Sequence, residues 1–205
     1  IKIMAYWGQE AVVELVPRSS LDVAVFAIPS GGELHLDEPT PISTCLSKWH
    51  KLDPKTVPVE AKAVGNYLNG YLARKDALDR GFDVAFLQDA DGFVAEGSTE
   101  SLFMVRDGEI YTPPLGGILS GISRMTILEM APHFGLTVHE VPLRSDDLAT
   151  ADEIFTTLKD GTKKWLKVDV IDINKGTFRL KDGDKIIPNK NITSKGNYKF
   201  AGREY

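Results

Sequence analysis

Apolar and polar positions alternate in short runs along much of the chain, and long helical spacing is confined to two stretches. Strand-like runs at Lys2–Trp7, Ala11–Val16 and Asp22–Ile28 are separated by Gly, Pro and Ser, residues that interrupt regular structure. Pro29-Ser-Gly-Gly32 reads as a loop, and Ile42–Trp49 as a further strand ending ahead of Leu52-Asp-Pro54. From Ala63 to Arg80 the residues Val64, Tyr67, Leu68, Tyr71, Leu72 and Leu78 recur at helical spacing, and Gly81 closes the helix. Phe82–Gln88 and Gly92–Ala95 flank Asp89-Ala-Asp-Gly92, a hairpin turn signal, and Ser101–Arg106 and Ile110–Pro113 flank Asp107-Gly108 in the same way. The loop Leu115–Gly121 leads into a second helix from about Ser123 to Phe134, with Gly135 as its C-terminal cap. Leu136–Arg144 reads as a strand, Ser145–Ala149 as a short helix and Glu153–Thr157 as a buried strand. Hairpins mixed with isolated helices predict an α+β architecture and argue against a doubly wound parallel sheet.

Composition narrows the class. The chain has 205 residues, 42% hydrophobic and 26% charged, with a net charge of −5, which suits a soluble globular protein and argues against a nucleic-acid binder. No apolar run approaches the roughly 20 residues that span a bilayer, and charged residues within the first ten positions predict no secretory leader. The single cysteine, Cys45, cannot form an internal disulfide, which predicts a reducing, cytoplasmic location. Charge is unevenly spread: residues 1–157 carry a net −11 and residues 158–205 a net +6. The division expected is therefore a segment 1–40, a main domain 41–157 and a basic, Lys- and Asn-rich extension 158–205. Its Lys163, Lys164, Trp165 and Lys167 are a weak nucleic-acid signal, and Asn191-Ile-Thr193 matches a glycosylation sequon.

Four features could carry chemistry, although each alone also has an ordinary structural explanation. Lys62 stands just before the first helix, with Tyr67 five residues on, and a lysine in a partly apolar site can become a nucleophilic amine. Glu96, in Phe93-Val-Ala-Glu-Gly97, is a carboxylate at the end of an apolar strand, suited to hold a protonated ring nitrogen. Gly121-Ile-Ser-Arg124 opens a helix, where free N–H groups and the dipole favour phosphate, although a plain Ser123 cap fits as well. Thr156 and Thr157 end a buried strand, where hydroxyls can reach a ligand. His35, His50, His133 and His139 lie in separate elements without metal-ligand spacing, so no metal site is expected.

Together these residues resemble the fold-type IV pyridoxal-phosphate enzymes, and among them the branched-chain amino acid aminotransferases. The resembling stretch is about residues 1–157, strongest in VPVEAKAVGNYLNGYLARKDAL, GFDVAFLQDADGFVAEGSTESLFMVRDGEIYTPP, ILSGISRMTILEMAPHFGLTVHEV and ADEIFTT. The resemblance implies an α+β fold: the large, D-amino acid aminotransferase-like domain with a remnant of the small N-terminal domain. It implies that Lys62 is the Schiff-base lysine and proton relay, that Tyr67 hydrogen-bonds the phenolic oxygen of pyridoxal 5'-phosphate, and that Glu96 holds the ring nitrogen protonated. It further places Leu119 on the ring face, Ile122 and Ser123 at the phosphate, and Lys2 and Thr157 near the substrate. The implied reaction moves an amino group from an amino acid to a 2-oxo acid through a pyridoxamine form, in a homodimer.

The sequence also departs from the family pattern. Members usually have about a hundred further residues ahead of Ile1, including an arginine for the cofactor phosphate. Leu158, Lys159 and Asp160 stand where a Gly-Thr-Ala turn normally binds phosphate, and Ser101 stands where Asn is common. A leucine in place of that glycine hinders close backbone approach to an anion, and Asp160 repels one. Two other readings therefore stay open: a 4-amino-4-deoxychorismate lyase using the same lysine and glutamate, and a non-catalytic fragment or fusion that keeps the scaffold.

Overall fold

In a computed structural model of the chain, the described residues are 1–8, 16, 20–27, 42–157 and, as backbone strands only, 163–166, 169–172, 177–179, 181–182, 185–186, 199–200 and 203–204. Outside them lie the loop Pro29–Gly32, all but Val16 of the run Ala11–Val16, residues 158–160 and the Asn191 sequon. The chain divides into two compact units, Ile1–Leu34 and His35–Tyr205. The first contains an antiparallel hairpin of β1 (Lys2–Trp7) and β2 (Leu21–Phe26), in which Lys2 faces Phe26 and Trp7 faces Leu21.

The second unit runs β3 (Thr44–Leu46), α1 (Tyr67–Asp79), β4 (Val84–Gln88), β5 (Val94–Gly97), β6 (Ser101–Arg106), β7 (Glu109–Thr112), α2 (Ile122–Met130), β8 (Val138–Glu140), α3 (Ser145–Ala149) and β9 (Glu153–Thr157). Short 3-10 turns precede α1 at Val64–Asn66 and follow α2 at Ala131–Phe134. The backbone strands β10 (Lys163–Leu166), β11 (Asp169–Asp172) and β12 (Thr177–Arg179) complete two five-stranded sheets. One has the order β11-β12-β3-β4-β5 and the other β10-β9-β6-β7-β8, and both are mixed, because β3–β4 and β7–β8 pair in parallel.

Strand alternation explains how the layers stack. Val84 and Phe86 of β4 pack with Leu102 and Met104 of β6 and Ile154 of β9, forming the core between the sheets. The intervening Ala85 and Leu87 face α1, where they meet Cys45, Ala73 and Ala77. On the far sheet, Phe103, Val105 and Phe155 pack against Ala131 and Ile127 at the C-terminal end of α2, with the Phe103 and Phe155 rings stacked 4.9 Å apart. The Cys45 thiol is fully buried, and desolvation pushes its pKa up to about 11, so it is no nucleophile near neutral pH.

The apolar spacing correctly marks a helix at α1, but the large apolar residues do not form its buried face. Gly70, Ala73, Asp76 and Ala77 are buried, while Leu68, Tyr71 and Leu78 are exposed. Small residues let the helix axis approach the sheet closely, and that proximity outweighs the burial that larger side chains would bring. Other elements are shorter than the pattern predicts. The run Ile42–Trp49 contributes only Thr44–Leu46, and Leu136–Arg144 only Val138–Glu140, with Pro142 next to an isolated bridge from Leu143 to Val94. No helix among the described residues is long and apolar enough to cross a membrane.

Thr156 shares the register of Ile154, is fully buried, and its hydroxyl has no hydrogen-bond partner among the described residues. Thr156→Val keeps the shape and removes a stranded polar group, so it should raise stability by about 1 kcal/mol. Urea unfolding of the two proteins checks this, and a lower midpoint for the variant would contradict it.

Candidate active site

The site lies in the second unit, where α1, the ends of β5 and β9, and the start of α2 converge on two adjoining pockets. One is lined by Lys51, Lys62, Tyr67, Glu96, Thr99 and Leu119. Next to it, sharing Lys62, Tyr67, Thr99, Ser101 and Leu119 as walls, is a second pocket lined also by Gly121, Ile122, Ser123 and Thr157. The candidates Lys62, Tyr67, Glu96, Leu119, Ile122, Ser123 and Thr157, spread over 96 positions of sequence, thus line two adjoining pockets that share Lys62, Tyr67 and Leu119. Lys2 is exposed on β1 in the other unit.

Lys62 occupies the loop ahead of the 3-10 turn that opens α1. This loop is tied down by Asn66, whose Nδ2 donates to the carbonyls of Pro58 and Ala61 at 3.1 and 3.4 Å. The Ser120 N–H donates to the Glu60 carbonyl at 3.3 Å and so joins the loop to the segment that carries Leu119. Lys62 is exposed and has no hydrogen bond or ion pair among the described residues, and the Tyr67 hydroxyl has none either. No described residue thus ties either polar end away from a ligand.

Glu96 sits on the floor of the first pocket, with only 8% of its surface exposed. Its Oε1 accepts from Lys51 Nζ at 2.5 Å and its Oε2 from the Leu119 N–H at 3.1 Å. Next to it the turn 97–100 is held by a second buried carboxylate. Glu100 accepts from Arg74 Nη1 at 3.0 Å, the Thr99 N–H and hydroxyl at 2.8 Å, and the Ser98 hydroxyl at 3.2 Å. α1 reaches this turn at Gly70, where a Cβ would stand 2.3 Å from the Ser98 carbonyl oxygen.

The third corner is the start of α2. Its N-cap is Gly121 and not Ser123, and no side chain caps it, so Ser123 falls inside the first turn with its hydroxyl exposed. Amide N–H groups in a first helical turn lack intrahelical acceptors. Arg124 follows with its side chain fully buried, and Nη2 donates to the Pro113 carbonyl at 2.8 Å and to Glu140 at 2.6 Å. These bonds anchor the turn to β8 and to the loop after β7. Thr157 Oγ1 accepts from the Ser101 N–H at 3.2 Å, and the Ser101 hydroxyl lies 3.4 Å from where a Gly121 Cβ would be.

No motif in the sequence points to Lys51, Asn66 or Glu100. Lys51 and Glu96 are 45 positions apart and no motif links them. The run Gly121–Arg124 marks Arg124 as part of an anion turn, whereas it is a buried strut. Among the described residues no group of His, Cys, Asp and Glu could hold a metal ion.

The donor set suits a planar, anionic ring compound: a buried carboxylate for a ring cation, an amine and a phenol with no partner among the described residues, and uncapped helix N–H groups for a phosphate. Comparison with known proteins gives the same class. The family described as amino-transferase class IV matches residues 1–157. A branched-chain-amino-acid aminotransferase of Salmonella typhimurium is 37% identical over 143 residues, covering 68% of this chain and 46% of the relative. The same enzyme of Escherichia coli K12 is 37% identical over 138 residues, covering 66% of this chain and 45% of the relative. Among solved structures, a branched-chain aminotransferase of Thermoproteus uzoniensis with norvaline superposes with a TM-score of 0.75 at 33% identity, covering 88% of this chain and 58% of that one. An aminotransferase of Brucella abortus bound to PLP gives 0.61 at 33% identity, covering 71% and 50%. The chain spans about half the length of the curated relatives it matches.

Proposed function

Because the chain belongs to the class IV aminotransferase family, we propose that it works as a pyridoxal-phosphate transaminase exchanging an amino group between a branched-chain amino acid and a 2-oxo acid. The observation that carries this reading is the pair of adjoining pockets that gather a buried carboxylate, an uncapped helix start and a lysine with no partner among the described residues. Pyridoxal phosphate, when bound, supplies an electron-accepting ring that stabilises negative charge at the substrate Cα.

The chain's residues have separate tasks. Lys62 holds the cofactor covalently between turnovers and moves the proton at the substrate Cα. Among the described residues no carboxylate pairs with it, which leaves the amine available to the cofactor. Glu96 holds a proton at the ring nitrogen, and its burial strengthens that contact. Tyr67 donates to the phenolic oxygen, and Leu119 covers one ring face and excludes water. The N–H groups of Ile122 and Ser123, with the Ser123 hydroxyl, bind phosphate at the positive end of α2. Thr157 orients the substrate carboxylate.

The same reading makes the chain a homodimer, supported by the exposed apolar residues Leu68 and Tyr71 on the outer side of α1. The free Cys45 suits a cytoplasmic location. The proposed division into 1–40, 41–157 and 158–205 rests on the charge change after Thr157.

A single-turnover reaction tests the function. Cofactor-loaded protein mixed with leucine, with no acceptor added, should release 2-oxo acid in an amount equal to the loaded sites. Release of pyruvate from 4-amino-4-deoxychorismate, without any product from leucine, would instead make it the lyase.

A further inference from the structure

We infer that Lys51 is the resident counter-ion of Glu96, neutralising that carboxylate when the cofactor is absent and competing for it with the cofactor's ring nitrogen when it binds. The inference rests on the function proposed above and concerns how strongly the site takes up its cofactor.

Both oxygens of Glu96 already have a donor, the Lys51 ammonium on Oε1 and the Leu119 N–H on Oε2. The Lys51 and Glu96 side chains are only 12% and 10% exposed, so the pair is largely removed from water. A carboxylate at that depth without a cation is costly. Lys51 is also fixed at its backbone, since its N–H donates to the Gln88 carbonyl at 2.8 Å at the end of β4. The ammonium is thus delivered to Glu96 by the fold. The nearby Glu100 is engaged separately by Arg74 and offers Lys51 no alternative.

A protonated pyridine nitrogen that approaches Glu96 brings a second positive charge to one carboxylate. The carboxylate has lone pairs for both donors, but the two cations repel each other across a poorly solvated floor. Such coupling is reciprocal: Lys51 weakens the hold on the ring nitrogen as much as the ring nitrogen weakens the Lys51–Glu96 pair. Lys51 therefore stabilises the empty site and lowers cofactor affinity, and the two effects come from one contact.

Lys51→Met and Lys51→Arg separate this from a simple positioning role. Pyridoxal phosphate binding is titrated by fluorescence, and thermal midpoints are read with and without it. Lys51→Met should melt lower than the wild type without cofactor, gain more from its addition, and bind it about five- to ten-fold more tightly. Lys51→Arg, which keeps the charge, should stay close to the wild type in all three. The gain in Lys51→Met should disappear with the carbocyclic analogue that has CH in place of the ring nitrogen. Lys51→Gln, with a hydrogen bond but no charge, should show the same sign if Lys51→Met does not fold.

Weaker or unchanged cofactor binding in the uncharged variants would overturn the inference, as would an equal gain with the analogue. If the wild-type protein shows no saturable binding of pyridoxal phosphate, the proposed function itself fails, and this inference with it.

Discussion

Gly70→Ala should cost the protein about 3 kcal/mol of stability, although it replaces the worst ordinary helix former after proline with the best one. In an exposed helix interior the same change would gain roughly 1 kcal/mol. Here the new methyl carbon would lie 2.3 Å from the Ser98 carbonyl oxygen and 3.3 Å from its carbon. Those atoms belong to a backbone turn fixed by Glu100, so neither side can yield by rotating a side chain. α1 must move away from the sheet, opening the packing of Ala73 and Ala77 on Ala85 and Leu87. Tyr67 moves with the helix, so cofactor affinity should fall as well. Gly65 is the internal control, since nothing lies within 4 Å of its Cβ position, and Gly65→Ala should change stability by less than about 0.5 kcal/mol. Urea unfolding of the three proteins decides the matter, and a Gly70→Ala variant at least as stable as the wild type would contradict the packing described.

Lys62→Ala should have the opposite profile, lowering single-turnover transamination by about 10⁴-fold with almost no effect on stability. The side chain is exposed and unpartnered among the described residues, so its removal leaves no cavity and strands no charge, and the change in unfolding free energy should stay within about 0.5 kcal/mol. Activity would lose both the covalent anchor and the proton carrier, each a large contribution to a reaction of this kind. A high concentration of a small primary amine should restore part of the proton transfer in Lys62→Ala. A variant that keeps more than about a tenth of the wild-type rate would remove Lys62 from its proposed role.

Local signals in the sequence were enough to find most of the elements. The Asp107-Gly108 turn adopts the left-handed conformation at both residues, with φ of 51° and 78°, and Gly135 ends the α2 region at φ 68°. These positions are readable because the conformation needed selects the residue type. What could not be read was anything fixed by contacts distant in sequence. The buried face of α1 is set by Gly70, Ala73 and Ala77 because the sheet and the Ser98 turn press on that side, whereas the apolar spacing pointed to residues that are exposed. Gly121, and not Ser123, caps α2, because Arg124 is drawn inward to Pro113 and Glu140. Lys51 looks like any loop lysine until β3 and β4 bring it to Glu96. The candidate site was legible for a different reason: four short motifs resemble a known family in order and spacing, and the fold gathers Lys62, Tyr67, Glu96, Leu119, Ile122, Ser123 and Thr157 around two adjoining pockets, while Thr156 is buried in the core.

Under the proposed function, pyridoxal phosphate binds beside Lys62 and is joined to it. Borohydride reduction of the wild-type protein in the presence of stoichiometric pyridoxal phosphate, followed by peptide mapping, tests this. One phosphopyridoxyl group per chain is expected, on Lys62, with Lys51 unlabelled because Glu96 engages its ammonium. Label scattered over surface lysines, or located on Lys51 with Lys62 bare, would contradict it.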